Sequence, residues 1–303
     1  MLDKSISTTT MSDRSHTDTS KSSQEDSAST GGCKYRFLSI ANEVEDVEGY
    51  TPGGYCPIDV GDTIHDGRFE VVHKLGYGGI ATVWLCWDLK NRKWRAVKIN
   101  AASQSSDDSM DLKALKLLVP GDEPFEREEL ANNHIMIVLE TFFLGSANGR
   151  HLCTVLPLAG PSYPAWEERI FEEFREDMKQ KVAYTRRLCR QLTEALAFLH
   201  QKGICHGDFR PDNLLMTLKP EVENIGYDEM KELVGSAVGE LLLNDDKRSP
   251  HAPKYAYPPI DLIWGRVSEL VSNSIVLVDF GEIFVASHAP EILNIPTSYA
   301  GPE

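Results

Sequence analysis

The run His206-Gly207-Asp208-Phe209-Arg210-Pro211-Asp212-Asn213 constrains this chain more than any other stretch. An aspartate followed five positions on by an asparagine is the spacing of a loop that takes a proton from a hydroxyl at one residue and holds a metal ion at the other. Asp208 is then the candidate base, Asn213 a candidate metal ligand, and Arg210 lies between them beside a moving phosphate. An isolated copy of the run would be only a surface turn. It carries weight through its company: a glycine-rich turn and a lysine precede it, and Asp279-Phe280-Gly281 follows it.

Upstream, Gly76-Tyr77-Gly78-Gly79-Ile80-Ala81-Thr82-Val83 suits a hairpin that covers phosphates, because glycines let backbone amides approach them without an intervening side chain. Gly76, Gly78 and Gly79 supply the turn, and Ala81 stands as a small substitute for a further glycine. A dinucleotide-binding turn would open a helix at the glycines. Here strand residues follow instead. Lys98 ends Arg95-Ala96-Val97-Lys98, 20 residues after Gly78, where a returning hairpin strand places it against the nucleotide's α- and β-phosphates. Its acidic partner on the following helix is Asp111; the other reading of Asp111 is a surface acid.

Asp279 follows the apolar run Ile275-Val276-Leu277-Val278, so a buried strand delivers its carboxylate to the nucleotide, where it would bind Mg²⁺. Thr154-Val155-Leu156-Pro157-Leu158-Ala159 is the candidate hinge, with Leu156 behind an adenine ring and Ala159 donating its N–H. Val83 and Ala96 above and Leu215 below would sandwich the ring. Each of these apolar residues is equally explained by core packing. The expected cofactors are ATP and Mg²⁺.

The organisation is α+β. Short runs rich in β-branched and aromatic residues (69–72, 82–85, 94–98, about 135–143 and 152–156) predict an antiparallel sheet, with one helix over 111–118. Leu188, Leu192, Ala195, Leu196 and Leu199 then recur with a helical period just before the loop. Residues 1–32 are roughly half Ser and Thr with almost no large apolar side chain, so 1–48 is expected as a disordered tail and order to begin near Tyr50. Between 219 and 272, Pro250, Pro253, Pro258 and Pro259 predict an insertion without regular structure.

A formal net charge of -15 over 303 residues opposes non-specific nucleic-acid binding and favours basic partners. The six cysteines form no C-x-x-C pair or other zinc pattern. No apolar run approaches the ~20 residues of a membrane span. A soluble monomer is expected, with neither nucleic acid nor membrane as partner.

The motif set resembles that of the eukaryotic protein kinases from about Asp62 to Glu303. A closer resemblance comes from Tyr50-Thr51-Pro52-Gly53-Gly54-Tyr55-Cys56-Pro57, Gly61-Asp62, Gly67-Arg68-Phe69, Lys74-Leu75-Gly76-Tyr77-Gly78 and Thr82-Val83-Trp84-Leu85-Cys86-Trp87-Asp88, which together are similar to the opening segment of SR-protein kinase domains. That resemblance implies a bilobal fold, with an antiparallel-sheet N-lobe over 49–157 and a helical C-lobe over 158–303 that carries 219–272 as a spacer. It also implies phosphorylation of Ser or Thr in basic Arg/Ser-rich protein substrates, in the cytoplasm and nucleus.

The chain departs from the kinase pattern at several places. Asp111 stands where kinases usually carry Glu, one methylene longer. Gly207 replaces an arginine that grips phosphorylated activation loops, so activation independent of phosphorylation in 282–300 is expected. Pro296 occupies the place of a substrate-positioning hydroxyl, with Thr297 one residue late. The chain stops at Tyr299-Ala300-Gly301-Pro302-Glu303, so the expected C-lobe is incomplete. Two alternatives stay open: a pseudokinase that binds nucleotide as a scaffold, and a small-molecule phosphotransferase.

Overall fold

The computed structural model describes residues 35, 36, 38–243, 249–261 and 266–292. Residues 1–34, most of the expected tail, lie outside them, as do Pro296, Thr297 and the end of the chain.

Short strand β1 (Thr63–Ile64) leads into β2 (Phe69–Tyr77), β3 (Ala81–Asp88) and β4 (Lys93–Asn100), followed by helices α1 (Met110–Leu118) and α2 (Pro124–Asn132) and strands β5 (Glu140–Ser146) and β6 (Gly149–Pro157). The six strands form one sheet in the order β1-β2-β3-β4-β6-β5, with every neighbouring pair antiparallel. Next come α3 (Tyr163–Glu173), α4 (Met178–Gln201), β7 (Ile204–Cys205), β8 (Leu214–Leu218), α5 (Tyr227–Val234), β9 (Glu240–Leu241), β10 (Tyr255–Ala256), β11 (Val271–Leu277) and β12 (Phe284–Val285). This is the bilobal α+β arrangement expected, a sheet followed by a helical part.

Two local expectations are corrected. The strand expected over 135–143 begins only at Glu140, and Ile135 instead bridges in parallel to Leu277, tying the sheet-side segment to β11. Helix α2 is not among the expected elements, because four of its nine residues are charged and its sequence shows no apolar period. Its start signals are present nonetheless, with Pro124 in the first turn and the Glu123 N–H donating to Glu126 Oε2 at 3.1 Å.

Strand β3 is apolar almost throughout because the sheet is covered on both faces. Trp84 and Cys86 pack with Phe69, Val97 and Val155 on one face, while Leu85 and Trp87 pack with Val72 and Trp94 on the other. An antiparallel sheet with one solvated face would alternate instead.

The covers come from segments expected to be irregular. Tyr35, Leu38 and Val44, from the supposed tail, form a core with Tyr50, Tyr55, Leu242, Ala252 and Ala256. Tyr35 bridges to Leu243, and the Arg36 N–H donates to the Leu242 carbonyl at 2.8 Å. Order therefore begins by Tyr35, well before Tyr50. Within 219–272, α5 buries Met230 against Trp87 and Trp94, β9 pairs with β10, and the Ile260 N–H donates to the Lys74 carbonyl at 2.9 Å, along the stretch of β2 that short β1 leaves uncovered. Prolines lack the N–H a central strand needs but suit such an edge, so Pro253, Pro258 and Pro259 do not prevent packing.

Under this cover lies a charge pair. Lys74 Nζ sits 2.5 Å from Glu45 Oε2, with both side chains 1% exposed. The Tyr50 hydroxyl donates to Glu45, and Trp84 lies under the ammonium at 5.0 Å.

Helix α4 is longer than its periodic stretch predicts. Asp177 caps it through the Gln180 N–H, and Tyr184, Leu188, Ala195, Phe198 and Leu199 are buried. Those side chains pack against β7 and β11, the strands that flank the loop 206–213 and deliver Asp279.

Candidate functional site

Strands β2 and β3 meet at the glycine-rich turn, with Gly76 opposite Val83, Tyr77 opposite Thr82, and the Gly78 N–H donating to the Ala81 carbonyl at 2.8 Å. A Cβ added to Gly76, Gly78 or Gly79 would meet no atom within 4 Å. Packing within the protein therefore does not require glycine at these positions. Their bare backbone leaves room for a group from outside, which is what phosphates need. From outside the sheet, the Tyr55 hydroxyl donates to the Gly78 carbonyl at 2.8 Å.

Lys98 lies on β4 opposite Val83 and Thr154. Its Nζ is 3.0 Å from Asp111 Oδ1 and 3.4 Å from Asp279 Oδ1. Burial opposes the ammonium charge, but the Asp111 and Asp279 carboxylates outweigh it and hold the Lys98 pKa above the ordinary lysine value. Asp111 is thus a partner of Lys98, and the surface-acid reading falls. Burial pushes its carboxyl up, yet Lys98 and then the Asn100 amide more than offset this and leave it below the usual carboxylate range. Asn100 donates from Nδ2 to Asp111 Oδ2 at 2.7 Å. No motif in the sequence marks Asn100.

The loop 206–213 hangs on Val278. Buried His206 donates from Nε2 to the Val278 carbonyl at 3.0 Å, and its Nδ1 accepts from the Asp208 N–H at 3.3 Å. Burial lowers the His206 pKa, although the Val278 carbonyl opposes this, so the ring stays neutral in that tautomer. Phe280 packs on the ring with centroids 4.7 Å apart. The Val278 N–H in turn donates to the Asn213 carbonyl at 3.0 Å, continuing the pairing of Leu214 with Leu277. Asp208 and Asn213 are therefore both anchored to the residue just before Asp279, whose own φ is +61°.

Asn213 commits its amide nitrogen to Asp208, at 2.8 Å to the carbonyl oxygen and 2.9 Å to Oδ2. Arg210 adds an Nε contact to the same Oδ2 at 3.1 Å and reaches Asp212 through Nη1. The other oxygen, Asp208 Oδ1, is buried with no hydrogen-bond partner among the described residues. Gly207 has φ +84°, and a Cβ there would lie 1.9 Å from the Glu282 carbonyl oxygen. No arginine fits this position, for a steric reason invisible in the motif.

Of the candidate adenine contacts, Ala96 pairs with Leu156 and adjoins Lys98 two residues along the strand, while Leu215 bridges to Ser162. Ala159 lines a small apolar cavity together with Leu75, Leu85, Met230, Val234 and Ile260, so the insertion reaches the hinge. Tyr227, Met230 and Val234 follow a helical period, the signal from which α5 could be found.

The protein kinase domain description matches residues 69–227, just over half of the chain and inclusive of the glycine turn, Lys98 and the loop through Asn213. The chain belongs to the protein kinase family. Among its relatives, serine/threonine-protein kinase spk-1 of Caenorhabditis briggsae is 33% identical over 181 residues, covering 59% of this chain and 15% of that protein. SRSF protein kinase 3 of Homo sapiens is 33% identical over 177 residues, covering 57% of this chain and 30% of that protein. These matches take in less than a third of each relative's length. Within the family, this kinase chain is therefore related to the SR-protein kinases. A crystal structure of a kinase domain covers 81% of this chain and 59% of its own, at 21% identity and a TM-score of 0.49.

Proposed function

We propose that this chain is an ATP-dependent serine/threonine protein kinase domain that phosphorylates Ser or Thr in basic, Arg/Ser-rich proteins. The observation that carries the reading is the state of Asp208. One carboxylate oxygen is held by Asn213 and Arg210, and the other is buried and unpartnered among the described residues, aimed by that hold. A substrate hydroxyl that uncovers this oxygen on binding would satisfy it, and the same oxygen would take the hydroxyl proton as the oxygen attacks phosphorus.

The residues fit the expected cofactors. Open space over Gly76, Gly78 and Gly79 suits ATP phosphates, with Lys98 held toward them by Asp111 and Asp279. The amide nitrogen of Asn213 is occupied, which leaves its oxygen as donor, and the Asp279 carboxylate is 47% exposed. One carboxylate and one amide oxygen are what Mg²⁺ takes when phosphates complete its shell. Bound there, the ion would neutralise charge on the transferring group. Arg210 would add a fixed positive charge beside it. The net charge of -15 supports a basic substrate. Asp111, whose short side chain favoured a non-catalytic scaffold, makes its ion pair after all.

The test is phosphate transfer from Mg-ATP to an Arg-Ser repeat peptide by the whole chain and by its Asp208→Asn variant. Loss of a positioned base predicts a fall of about 10²- to 10⁴-fold, while Mg-ATP still raises the melting temperature of both proteins. Transfer at the unmodified rate by the variant, or no transfer to the peptide by the parent chain, refutes the reading.

A further inference from the structure

We propose that Asn100 is a positioning residue of the phosphotransfer site: it fixes the short acid Asp111 so that Asp111 in turn fixes Lys98. This rests on the kinase reading above and names a residue that the motifs do not contain.

Strand geometry brings the two β4 side chains to one acid. Lys98 and Asn100 are two residues apart on the strand, so their side chains leave the same face of the sheet, about 7 Å apart along it. Asp111, in the first turn of α1, receives both: Oδ1 lies 3.0 Å from Lys98 Nζ and Oδ2 accepts from Asn100 Nδ2 at 2.7 Å. A carboxylate held at one oxygen only can pivot about its Cβ–Cγ bond. Held at both, it presents Oδ1 in one orientation. That matters for an aspartate because its reach toward Lys98 has no spare methylene to absorb error. Lys98 feels a second pull from Asp279 at 3.4 Å. A loosened Asp111 would let the ammonium move toward that carboxylate and away from the phosphates.

Asn100 is itself rigidly set. It is 1% exposed, pairs with Ala81 across β3 and β4, and its carbonyl accepts from His151 Nδ1 at 2.9 Å. The other nitrogen of His151 lies 2.7 Å from the Ser146 hydroxyl, so the turn between β5 and β6 braces the end of β4. The amide also carries a cost. Asn100 Oδ1 is buried with no hydrogen-bond partner among the described residues. A residue kept only for stability would not leave a buried acceptor unsatisfied where an apolar side chain of similar size could sit. The amide acts through Nδ2 alone, and among the described residues the group that Nδ2 serves is Asp111.

The experiment compares the whole chain with Asn100→Ala and with the double variant Asn100→Ala/Asp111→Glu, using Mg-ATP and the Arg-Ser repeat peptide. Asn100→Ala should lower kcat and raise KM for ATP, with kcat/KM down about tenfold or more, the equivalent of one charge-assisted hydrogen bond. The KM for peptide should not change. The double variant should recover most of the loss, because the longer acid reaches Lys98 without help. A purely structural Asn100 predicts reduced melting temperature without the ATP-specific change and without rescue by Asp111→Glu, and that result overturns the proposal. If the parent chain transfers no phosphate, the kinase reading fails on its own. Crystal structures of the same variants then decide Asn100: opening of the 3.0 Å Lys98–Asp111 contact in Asn100→Ala and its closure in the double variant support the role, and an unmoved contact refutes it. Should Asn100→Ala not fold, Asn100→Ser, which keeps a polar group but loses the reach to Asp111, goes through the same comparisons.

Discussion

Replacing Glu45 with alanine tests whether the segment before Tyr50 belongs to the folded domain. Glu45 and Lys74 are each 1% exposed at the side chain, with Nζ and Oε2 2.5 Å apart. Removing the carboxylate leaves an ammonium in a site walled by Trp84 and strips the Tyr50 hydroxyl of its acceptor. Breaking a buried pair from one side costs about 3 to 5 kcal/mol. At about 2 to 4 °C per kcal/mol for a domain of this size, the melting temperature should fall by roughly 6 to 20 °C.

The pH dependence of that loss has a definite sign. Burial lowers the Lys74 pKa, and Glu45 partly offsets this in the parent protein. Without Glu45 the folded-state value drops further, so the unfolded chain binds more protons than the folded one. Stability then rises with pH as the solution approaches the ordinary lysine range, and the penalty is fully present below the folded-state value. Substituting both partners, Glu45→Leu with Lys74→Met, should recover most of the stability, since apolar side chains of similar volume remove the desolvation cost on both sides. Denaturant melts from about pH 7 to 10, the span between neutrality and the ordinary lysine value, read all three proteins. A loss under about 1 kcal/mol for Glu45→Ala, or a double variant no more stable than the single one, would refute the burial of this pair.

Two further outcomes follow from other parts of the domain. Gly207→Ala forces a Cβ to within 1.9 Å of the Glu282 carbonyl at φ +84°, and should cost at least about 2 kcal/mol in denaturant melts; a change under roughly 0.5 kcal/mol would show that the loop has another conformation. His73, His151 and His206 are buried, and burial lowers the pKa of each. Because the folded state disfavours their protonation, stability should fall as pH drops below about 6.5, the ordinary histidine value. With three groups the slope can reach about 4 kcal/mol per pH unit. Equal stability at about pH 7 and pH 5, on either side of that value, by chemical denaturation would contradict the neutral state of these rings.

The candidate chemistry of this chain is readable wherever the candidate groups are close in sequence. Asp208 and Asn213 are five residues apart on one loop, so their spacing sets their geometry. Lys98 follows the glycine turn by the length of one hairpin return. The period of α4 announces the helix under the loop, because a helix repeats its buried face every few residues. Other features depend on elements that meet only in the folded state. Tyr35 is buried by Leu243, and Met230 by Trp87 and Trp94. Read locally, such isolated apolar residues among polar and proline-rich neighbours look like a tail and a linker. Gly207 looks like a lost arginine until the Glu282 carbonyl closes over it. Asp111 looks like a weakened motif until Asn100, from a different element, takes its second oxygen. Sequence alone determined which groups could do chemistry, since that depends on residue type and short spacing. Only the tertiary structure decided which of them are held in place, since that depends on contacts between residues the chain keeps far apart.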